Sequence, residues 1–468
     1  IHGGLRYLEH YKFRLVQESL KEREILLNMA PHIIWPMRFI LPHTKGMRPR
    51  WFLRLGLAIY DHLGHRKILP GTSNVNFASQ KTNSPLKDTF KSGFEYSDCW
   101  VDDSRLVILN AVDAASKGAS LRNYTKVTNA TSSNGLWTIS TKNSLNGKVE
   151  IVKAKAFVNA SGPWVDEVLK ESFKVKDSKN VRLVRGSHIV VNKLYEGDKS
   201  YICQNKDGRI FFIIPYEDNF TLIGTTDIDH GKSADQVKIS EQEKSYICES
   251  ASSYLKQEIT TNDIVWSYSG VRPLYDDGAS KAQEATRDYV VSAKEYDYSL
   301  MINIFGGKIT TYRRLSETIL EHIENFLGKR GKSWTENSRL PGGEIKVATL
   351  SEFEAKLKNK YSFFTNELIR RLARSYGEIS FDIFGDADSL DALGENFGGG
   401  LYEAEVQYLI NNEWARSSDD ILFRRSKLGL ILSETEIENL NLFLKKNNTK
   451  SQSSENIVPS ENKEVLKA

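Results

Sequence analysis

The chain has 468 residues, enough for two or three domains with substantial hydrophobic cores. Its 40% hydrophobic and 26% charged residues are typical of a globular protein, and its net charge of +4 is too small to indicate nucleic-acid binding. The three cysteines are widely spaced and odd in number, which indicates no disulfide framework and favours a reducing compartment. We expect neither a signal peptide nor a membrane-spanning segment in this sequence.

The first 330 residues mix helical and strand patterns. In chain order, the predicted elements are a helix over 5–29 that ends before Pro31, a strand over 151–159, a helix from Val165, a hairpin of 209–216 with 220–226, and strands over 263–270 and 298–305. Because both periodicities recur along the chain, we predict an α/β fold for this region, which we bound at residues 1–335.

After the turn at 340–343 the pattern becomes entirely helical. The start and stop signals are two capping boxes, Ser351 with Glu354 and Ser433 with Glu436, and a helix from Thr365 to Arg374 that ends at Gly377. We therefore expect a helical domain over 340–446. The tail over 447–468 is rich in Ser, Asn, Lys and Glu, and we expect it to be disordered.

The segment from Ile304 to Arg313 combines an apolar run, a glycine pair and the start of a helical pattern. A strand followed by a helix N-terminus places unpaired backbone N–H groups where a phosphate or the electron-rich edge of a cofactor binds. Gly306 and Gly307 permit close approach of the backbone, and Lys308 adds a positive charge. An ordinary helix start with a solvated lysine is the alternative that this segment alone leaves open.

Three arginines lie beside glycine or turn signals, namely Arg6, Arg272 and Arg287. A guanidinium forks well onto a phosphate or a carboxylate, although a surface ion pair is the alternative for each arginine alone. His2 and His188 are the candidate proton acceptors near neutral pH, and a structural role is the alternative for each. The histidines show no spacing typical of metal ligands, so we predict no metal site.

The acidic segment Asp98–Asp103 raises the possibility of a metal site. We instead interpret its acids as capping groups for a helix that contains Leu106–Ala111. The segment 45–67 is basic, with Trp51, Phe52 and Leu55 interleaved among its arginines and lysines. A basic amphipathic helix with aromatic residues suits an anionic membrane surface, and a helix packed on its own domain is the alternative.

Seven segments in order resemble motifs of the bacterial, FAD-dependent, membrane-associated glycerol-3-phosphate dehydrogenase family, across almost the whole chain. The segments are Ile1–Glu9, Phe94–Asp103, Asn159–Trp164, Gly186–His188, Ile223–Asp227, Tyr268–Pro273 and Phe305–Lys308. The resemblance implies a Rossmann-like FAD-binding domain interleaved with an antiparallel-sheet substrate domain, followed by a helical cap domain. It also implies oxidation of sn-glycerol 3-phosphate to dihydroxyacetone phosphate, with hydride transfer to FAD and electrons passed to a membrane quinone.

The resemblance further assigns roles to individual residues. His188 or His2 is the implied base, Arg272 holds the developing oxyanion, and Lys308 lies beside the flavin. The residues implied to bind substrate are Arg6, Tyr7, Arg272, Arg287 and Lys308. The residues implied to bind FAD are Ser161, Gly162, Gly306, Gly307, Lys308, Ile309 and Thr310.

The resemblance also implies a cytoplasmic protein, peripheral on the inner membrane face, with the segment 45–67 on the anionic lipid surface. The oligomeric state stays open, with a homodimer among the arrangements. A glycerol-3-phosphate oxidase that uses oxygen and a non-catalytic membrane-peripheral protein of the same fold are the alternatives. The family opens with a strand and a G-x-G-x-x-G turn that hold the FAD pyrophosphate, and this unit is not in the sequence. We therefore expect that a segment precedes Ile1 and that the chain as given binds FAD poorly.

Overall fold

The computed structural model describes residues 1–44, 47–64, 67–77, 84–176, 178–205, 207–276, 288–346 and 349–455. The strands are β1 (Ile34–His43), β2 (Ser73–Asn76), β3 (Ser92–Val101), β4 (Thr125–Ser133), β5 (Leu136–Asn143), β6 (Val149–Ala154), β7 (Ala156–Asn159), β8 (Val181–Asn192), β9 (Ser200–Gln204), β10 (Ile210–Tyr216), β11 (Phe220–Gly224), β12 (Ile228–Asp229), β13 (Ile264–Tyr275), β14 (Tyr289–Tyr296) and β15 (Ser299–Gly306). The helices are α1 (Phe13–Met29), α2 (Arg50–Leu63), α3 (Asp103–Ser116), α4 (Val165–Glu171), α5 (Glu241–Tyr254), α6 (Tyr312–Leu327), α7 (Leu350–Lys360), α8 (Asn366–Tyr376), α9 (Ile379–Phe384), α10 (Glu403–Asn412), α11 (Ser418–Leu422) and α12 (Glu434–Glu455).

The chain divides into two compact units. The sheet unit consists of Ile1–Met29, Ile34–Val101 and Arg122–Arg339. The helical unit consists of Ala30–Ile33, Asp102–Leu121 and the chain from Leu340 onward. Each unit has its own hydrophobic core, and every residue of the site that we describe below belongs to the sheet unit.

A large mixed sheet dominates the sheet unit, with strand order β12-β8-β11-β10-β9-β1-β3-β2 and β13 added to β8. Its neighbours pair antiparallel, except that β1 runs parallel to β9. Because side chains alternate across a strand, the sheet has two differently packed faces. One face, which we call the α5 face, packs Ile189, Ile213 and Ile223 against α5. The other, the α1 face, packs Phe39 and its neighbours against α1 and α2.

Two smaller sheets complete this unit. One has the order β14-β15-β7, with β7 parallel to β15, and the other is the antiparallel sheet β4-β5-β6. The predicted hairpin is confirmed as β10 and β11, and the predicted strands over 263–270 and 298–305 are confirmed as β13 and β15. The single strand predicted over 151–159 is wrong. The chain breaks at Lys155, because β6 pairs with β5 while β7 leaves that sheet to pair with β15.

The N-terminal helical prediction is confirmed in two parts, a 3₁₀ helix over Leu5–His10 and then α1, which ends before Pro31. The predicted helix from Val165 is confirmed as α4. None of the described helices is both long enough and apolar enough to cross a membrane.

Local signals account for several ends of helices in the helical unit. Asp102 caps α3 by accepting a hydrogen bond from the backbone N–H of Arg105, as predicted. Thr365 caps α8, which ends at Gly377, and the predicted box of Ser433 with Glu436 is confirmed before α12. The box predicted at Ser351 is wrong, because α7 already begins at Leu350 and Ser351 lies inside its first turn.

The end of α12 differs from the expected boundary of the tail. We expected disorder from residue 447, whereas α12 continues to Glu455. Residues 456–468 of that tail lie outside the described residues.

Candidate functional site

The turn that joins β15 to α6 has the predicted strand–glycine–helix form. Gly306 and Gly307 have φ angles of +74° and +104°, which disfavour side chains other than glycine. A 3₁₀ helix over Ile309–Thr311 follows, and α6 begins at once after it. A Cβ on Gly306 would lie 2.8 Å from the carbonyl oxygen of Asp288 and 3.7 Å from that of Pro273, so the turn lies against β13.

The N-terminal segment lies against this turn. The Nζ of Lys308 is buried, 4.2 Å from the centroid of the Tyr7 ring, which is close enough for a cation–π interaction. Gly4 has a φ of +79°, and a Cβ there would collide with the Tyr7 ring. The hydroxyl of Thr310 donates to the carbonyl of His2 at 3.5 Å. Residues from both ends of the sheet unit therefore meet at one place.

The carboxylate of Asp98 binds the start of the N-terminal segment at Gly3. It accepts hydrogen bonds from Nη1 of Arg23 at 2.6 Å, from the Tyr60 hydroxyl at 2.8 Å and from the backbone N–H of Gly3 at 3.2 Å. Our interpretation of Asp98 as a helix cap is therefore wrong. The residue is 3% exposed in the interior of β3, where an ionised carboxylate is stabilised only by such partners.

His188 lies on the α1 face of β8, directly opposite Tyr268 of β13. The two rings stack with centroids 5.0 Å apart and an interplanar angle of 10°. Gly224 of β11 faces His188 from the other side, and a Cβ there would collide with the imidazole. The ring is thus held between an aromatic neighbour and a strand that has no side chain at the contact.

Arg272 reaches across the same face of the sheet. Its guanidinium forms an ion pair with Asp227 and donates to the Thr225 hydroxyl at 3.3 Å. A Cβ on Gly186 would lie 2.7 Å from that hydroxyl and 2.8 Å from Nη2 of Arg272, so only glycine leaves room for the guanidinium. Gly186 and Gly224 belong to motifs that we quoted from the sequence, but their steric role was not visible there.

The charge of Arg272 acts on His188. Burial, together with the positive charge of Arg272, lowers the pKa of His188 to about 4. The imidazole is therefore neutral at pH 7, and its Nδ1 has no hydrogen-bond partner among the described residues. A neutral imidazole with a nitrogen not yet engaged is a proton acceptor, and the adjacent guanidinium attracts an anion.

The segment Asn159–Trp164 forms a second glycine turn, at the end of β7. Ser161 lines a cavity of about 520 Å³, together with Val127, Val158, Trp164 and other residues of β4, β7 and α4. Gly162 has a φ of +54°, and nothing described lies within 4 Å of the position of a Cβ there. The amide of Asn159 donates to Val165 and to Asn303 of β15, which ties this turn to the strand that leads to Lys308.

These turns fit a flavin nucleotide. Glycine with positive φ lets a ligand approach the backbone closely at both turns, the cavity lined by Ser161 has room for part of a nucleotide, and Lys308 adds positive charge at the turn of Gly306 and Gly307. The predicted contacts of Ser161, Gly162, Gly306, Gly307, Lys308, Ile309 and Thr310 with FAD remain predictions, but the structure places them in or beside these two turns.

The other predicted site residues have the following places. Arg6 is half-buried next to Tyr7 on the same 3₁₀ helix, and the His2 side chain is exposed. Arg287 lies outside the described residues. Thr225 and Asp227 lie within a motif that we quoted, but their contacts with Arg272 were not visible in the sequence, and Glu243 was not singled out at all, because these partners are distant in the chain.

The basic segment contains α2. Leu57 and Tyr60 are buried and pack α2 on the α1 face, whereas Trp51 is 69% exposed and Leu55 is 52% exposed. The side chain of Arg54 is exposed beside them. The outward side of α2 therefore carries basic side chains together with some of its aromatic and apolar side chains. Lys45 and Arg66 of the predicted segment lie outside the described residues.

Family models and relatives agree on one family. A model described as "FAD dependent oxidoreductase" matches residues 1–313, and one described as "C-terminal domain of alpha-glycerophosphate oxidase" matches residues 333–441. The chain is 47% identical to D-erythritol 1-phosphate dehydrogenase of Brucella abortus (strain 2308), covering 93% of this chain and 87% of that protein. It is 46% identical to aerobic glycerol-3-phosphate dehydrogenase of Escherichia coli (strain K12), covering 92% and 86%.

A solved structure shows the same fold. The glycerol-3-phosphate dehydrogenase from Bacillus halodurans, complexed with FAD, is 24% identical with a TM-score of 0.71, covering 93% of this chain and 81% of that one. The predicted fold class is thereby confirmed, and so is FAD as the cofactor of this family. The chain belongs to the family of FAD-dependent glycerol-3-phosphate dehydrogenases.

Proposed function

We propose that this protein oxidises sn-glycerol 3-phosphate to dihydroxyacetone phosphate, and that bound FAD supplies the acceptor for the hydride that leaves C2. The observation that carries this proposal is that the half-buried, neutral imidazole of His188 and the guanidinium of Arg272 lie on the same face of β8 and β13, where the charge of Arg272 acts on the imidazole. Oxidation of a secondary alcohol needs a base for the hydroxyl proton, and a phosphorylated substrate needs a cationic partner.

His188 takes the proton of the C2 hydroxyl. Its pKa of about 4 keeps the imidazole unprotonated over the whole range around neutral pH. Stacking on Tyr268 fixes the plane of the ring, so that its nitrogens have a defined direction. The His2 side chain is exposed, whereas the His188 ring is held between Tyr268 and Gly224, so we favour His188 over His2 as the base.

Arg272, Arg6 and Lys308 provide the positive charge. The guanidinium of Arg272 is fixed in place by Asp227 and Thr225, and an incoming anion shares it with Asp227. Lys308 lies in the turn next to Tyr7, and its burial strengthens its attraction for a phosphate or for negative charge that develops on the cofactor. Arg6 and Tyr7 are neighbours on one short 3₁₀ helix, so the same backbone segment carries both side chains.

The electron acceptor in this proposal is a membrane quinone, reached at an anionic lipid surface on the cytoplasmic side. The exposed Trp51, Leu55 and Arg54 of α2 support this arrangement, since aromatic and basic side chains together suit the interface of a bilayer. The alternative acceptor is oxygen.

A second candidate substrate has its own support. The relative at 47% identity is named D-erythritol 1-phosphate dehydrogenase, and the glycerol-3-phosphate dehydrogenase of Escherichia coli (strain K12) is 46% identical. Both names describe the oxidation of a polyol phosphate, so an anion site and a base serve either substrate.

The test uses the full-length protein loaded with FAD. Reduction of a dye or a quinone is measured with glycerol 3-phosphate, with D-erythritol 1-phosphate and with glycerol. We expect the highest kcat/KM with glycerol 3-phosphate and no activity with glycerol. A higher kcat/KM with D-erythritol 1-phosphate replaces the proposed substrate by the second candidate. Rapid oxygen uptake with peroxide formation, without quinone reduction, replaces the quinone by oxygen.

A further inference from the structure

A buried carboxylate lies behind the strands that carry His188 and Arg272. Glu243, in the first turn of α5, is 2% exposed. Its Oε1 accepts hydrogen bonds from the Ser187 hydroxyl at 2.8 Å and from the Thr226 hydroxyl at 2.9 Å. Arg185 lies 2.7 Å away and adds a positive partner. Burial by itself raises the pKa of the Glu243 carboxyl, but these hydrogen bonds and those of Ser240 lower it below its usual value, so the group is ionised at neutral pH.

The partners of Glu243 are the immediate neighbours of the site residues. Ser187 precedes His188 on β8, and its backbone N–H donates to the Thr226 hydroxyl at 3.0 Å. Thr226 lies between Thr225 and Asp227, both of which bind the Arg272 guanidinium. One carboxylate therefore connects the strand of His188 with the loop that holds Arg272.

A further hydrogen bond extends this connection to β13. The hydroxyls of Ser187 and Ser269 lie 2.8 Å apart, and Ser269 follows Tyr268, whose ring stacks on His188. Glu243 thus reaches the third strand of the site through one intervening hydroxyl.

Glu243 acts from the opposite side of the sheet. Ser187 points to the α5 face with Ile189, whereas His188 points to the α1 face, because successive side chains alternate along β8. The sheet separates the carboxylate from a substrate bound beside His188. Any effect of Glu243 on the reaction therefore passes through the position of other residues.

We infer that Glu243 is a positioning residue, which fixes His188 and Arg272 relative to each other through Ser187 and Thr226. The inference rests on the proposed oxidation of a polyol phosphate. Its physical basis is that a misplacement of about 1 Å costs on the order of 100-fold in rate. Without the carboxylate, several buried donors lose their acceptor, and the loop and the strand are free to shift independently.

A purely structural role of Glu243 is the competing explanation, since Glu243 also closes a capping box with Ser240 at the start of α5. Two variants separate the roles. Thr226→Val removes the hydroxyl that links the loop to Glu243 and leaves the capping box intact. Ser240→Ala removes the Ser240 hydroxyl from the box and leaves the bonds to Ser187 and Thr226 intact. Glu243→Gln removes the charge and weakens both sets of bonds.

The experiment measures two properties of these full-length variants. The first is kcat and KM for glycerol 3-phosphate in the FAD-loaded protein. The second, which needs no turnover, is amide hydrogen exchange of the segment 224–229. We expect Glu243→Gln and Thr226→Val to lower kcat/KM by about 10- to 100-fold. We expect the same two variants to speed exchange in this segment. Ser240→Ala lowers the thermal midpoint and leaves both properties as in the wild type.

The outcomes are distinct. If Thr226→Val and Glu243→Gln leave both kcat/KM and exchange unchanged, the inference is wrong. If Ser240→Ala reproduces their effects, Glu243 acts only as a helix cap, and the inference is also wrong. If Glu243→Gln does not fold, Ser187→Ala takes its place, because it removes a donor to Glu243 and keeps the bond between the Ser187 N–H and the Thr226 hydroxyl. If the wild type does not oxidise glycerol 3-phosphate, the proposed function fails, and the exchange measurement still decides whether Glu243 holds the loop.

Discussion

The imidazole of His188 stacks almost parallel on the ring of Tyr268, its direct partner across β8 and β13, with centroids 5.0 Å apart. On the other flank of His188, Gly224 presents only backbone. The orientation of this imidazole is therefore a property of three paired strands. A base that is fixed in this way needs no hydrogen bond of its own to hold its plane, and its Nδ1 has no hydrogen-bond partner among the described residues.

The assignment of the base predicts the effect of His188→Gln. We expect kcat to fall by about 10²- to 10⁴-fold, with a much smaller change in KM, because the proton acceptor is lost while the cationic groups remain. Steady-state dye reduction with glycerol 3-phosphate measures both constants. His2→Gln serves as the comparison, and His62→Gln, an exposed residue of α2, serves as the control. A large loss of kcat in His2→Gln alone would transfer the role of base to His2.

The influence of Arg272 on His188 predicts a shift in a titration. Burial is the larger cause of the lowered pKa of His188 and the positive charge of Arg272 is the second, so Arg272→Met raises this pKa above about 4 while burial keeps it below 6.5. NMR of the protein with labelled histidines follows the titration, and His188→Gln identifies the signal. The same variant weakens binding of glycerol 3-phosphate, measured by calorimetry. Unchanged affinity would remove Arg272 from the anion site.

The close approach of Gly224 to His188 predicts a steric effect. Gly224→Ala places a methyl group where the imidazole now lies, so His188 must rotate away from Tyr268 and kcat falls. Gly231→Ala is the matched control, because nothing described lies within 4 Å of its added Cβ. Kinetics and thermal unfolding of both variants are compared. Equal kcat in the two variants would show that the site tolerates a displaced ring.

The local parts of the fold and of this site were predictable from the sequence, because their signals are close together in the chain. The glycine pair before Lys308 and the capping box of Ser433 are examples, since a turn or a cap is decided by a few adjacent residues. The partners of Glu243 and Asp98 were not predictable. Asp98 binds Gly3 and Arg23 from 95 and 75 residues away, and the pairing of strands, which no local pattern encodes, brings them together.

The break between β6 and β7 at Lys155 was not predictable for the same reason. The residues around it favour an extended backbone throughout, and only the choice of partner, β5 before the break and β15 after it, divides one pattern into two strands.

The outward face of α2 predicts weaker membrane binding for Trp51→Glu. A charge at this exposed position opposes insertion into the bilayer interface and repels anionic lipid. Co-sedimentation with vesicles that contain phosphatidylglycerol measures the effect. Leu145→Glu is the control, because Leu145 is a similarly exposed apolar residue, at 62%, outside the basic segment. If both variants bind as the wild type does, α2 is not the membrane contact.

From the surroundings of His32 we predict that the helical unit loses stability at acidic pH. This residue is fully buried, neither ring nitrogen has a hydrogen-bond partner among the described residues, and burial with the nearby charge of Arg105 lowers its pKa to about 3. In the unfolded chain the pKa of His32 is about 6.5, so the unfolded chain binds a proton there at a pH at which the folded chain does not. The contribution of neutral His32 to the free energy of unfolding is fully present above pH 6.5. It falls by about 1.4 kcal/mol per pH unit as the pH falls towards 3.

Replacing the imidazole tests this cause. His32→Leu has no titrating group at this place, so its urea midpoint should fall less between pH 7 and pH 5 than that of the wild type. Because the buried ring makes no hydrogen bond to the described residues, an apolar side chain of similar volume costs little at pH 7. His62→Leu, on the exposed surface of α2, should leave the pH dependence as in the wild type. Parallel loss of stability in the wild type and in His32→Leu would assign the acid sensitivity to other groups.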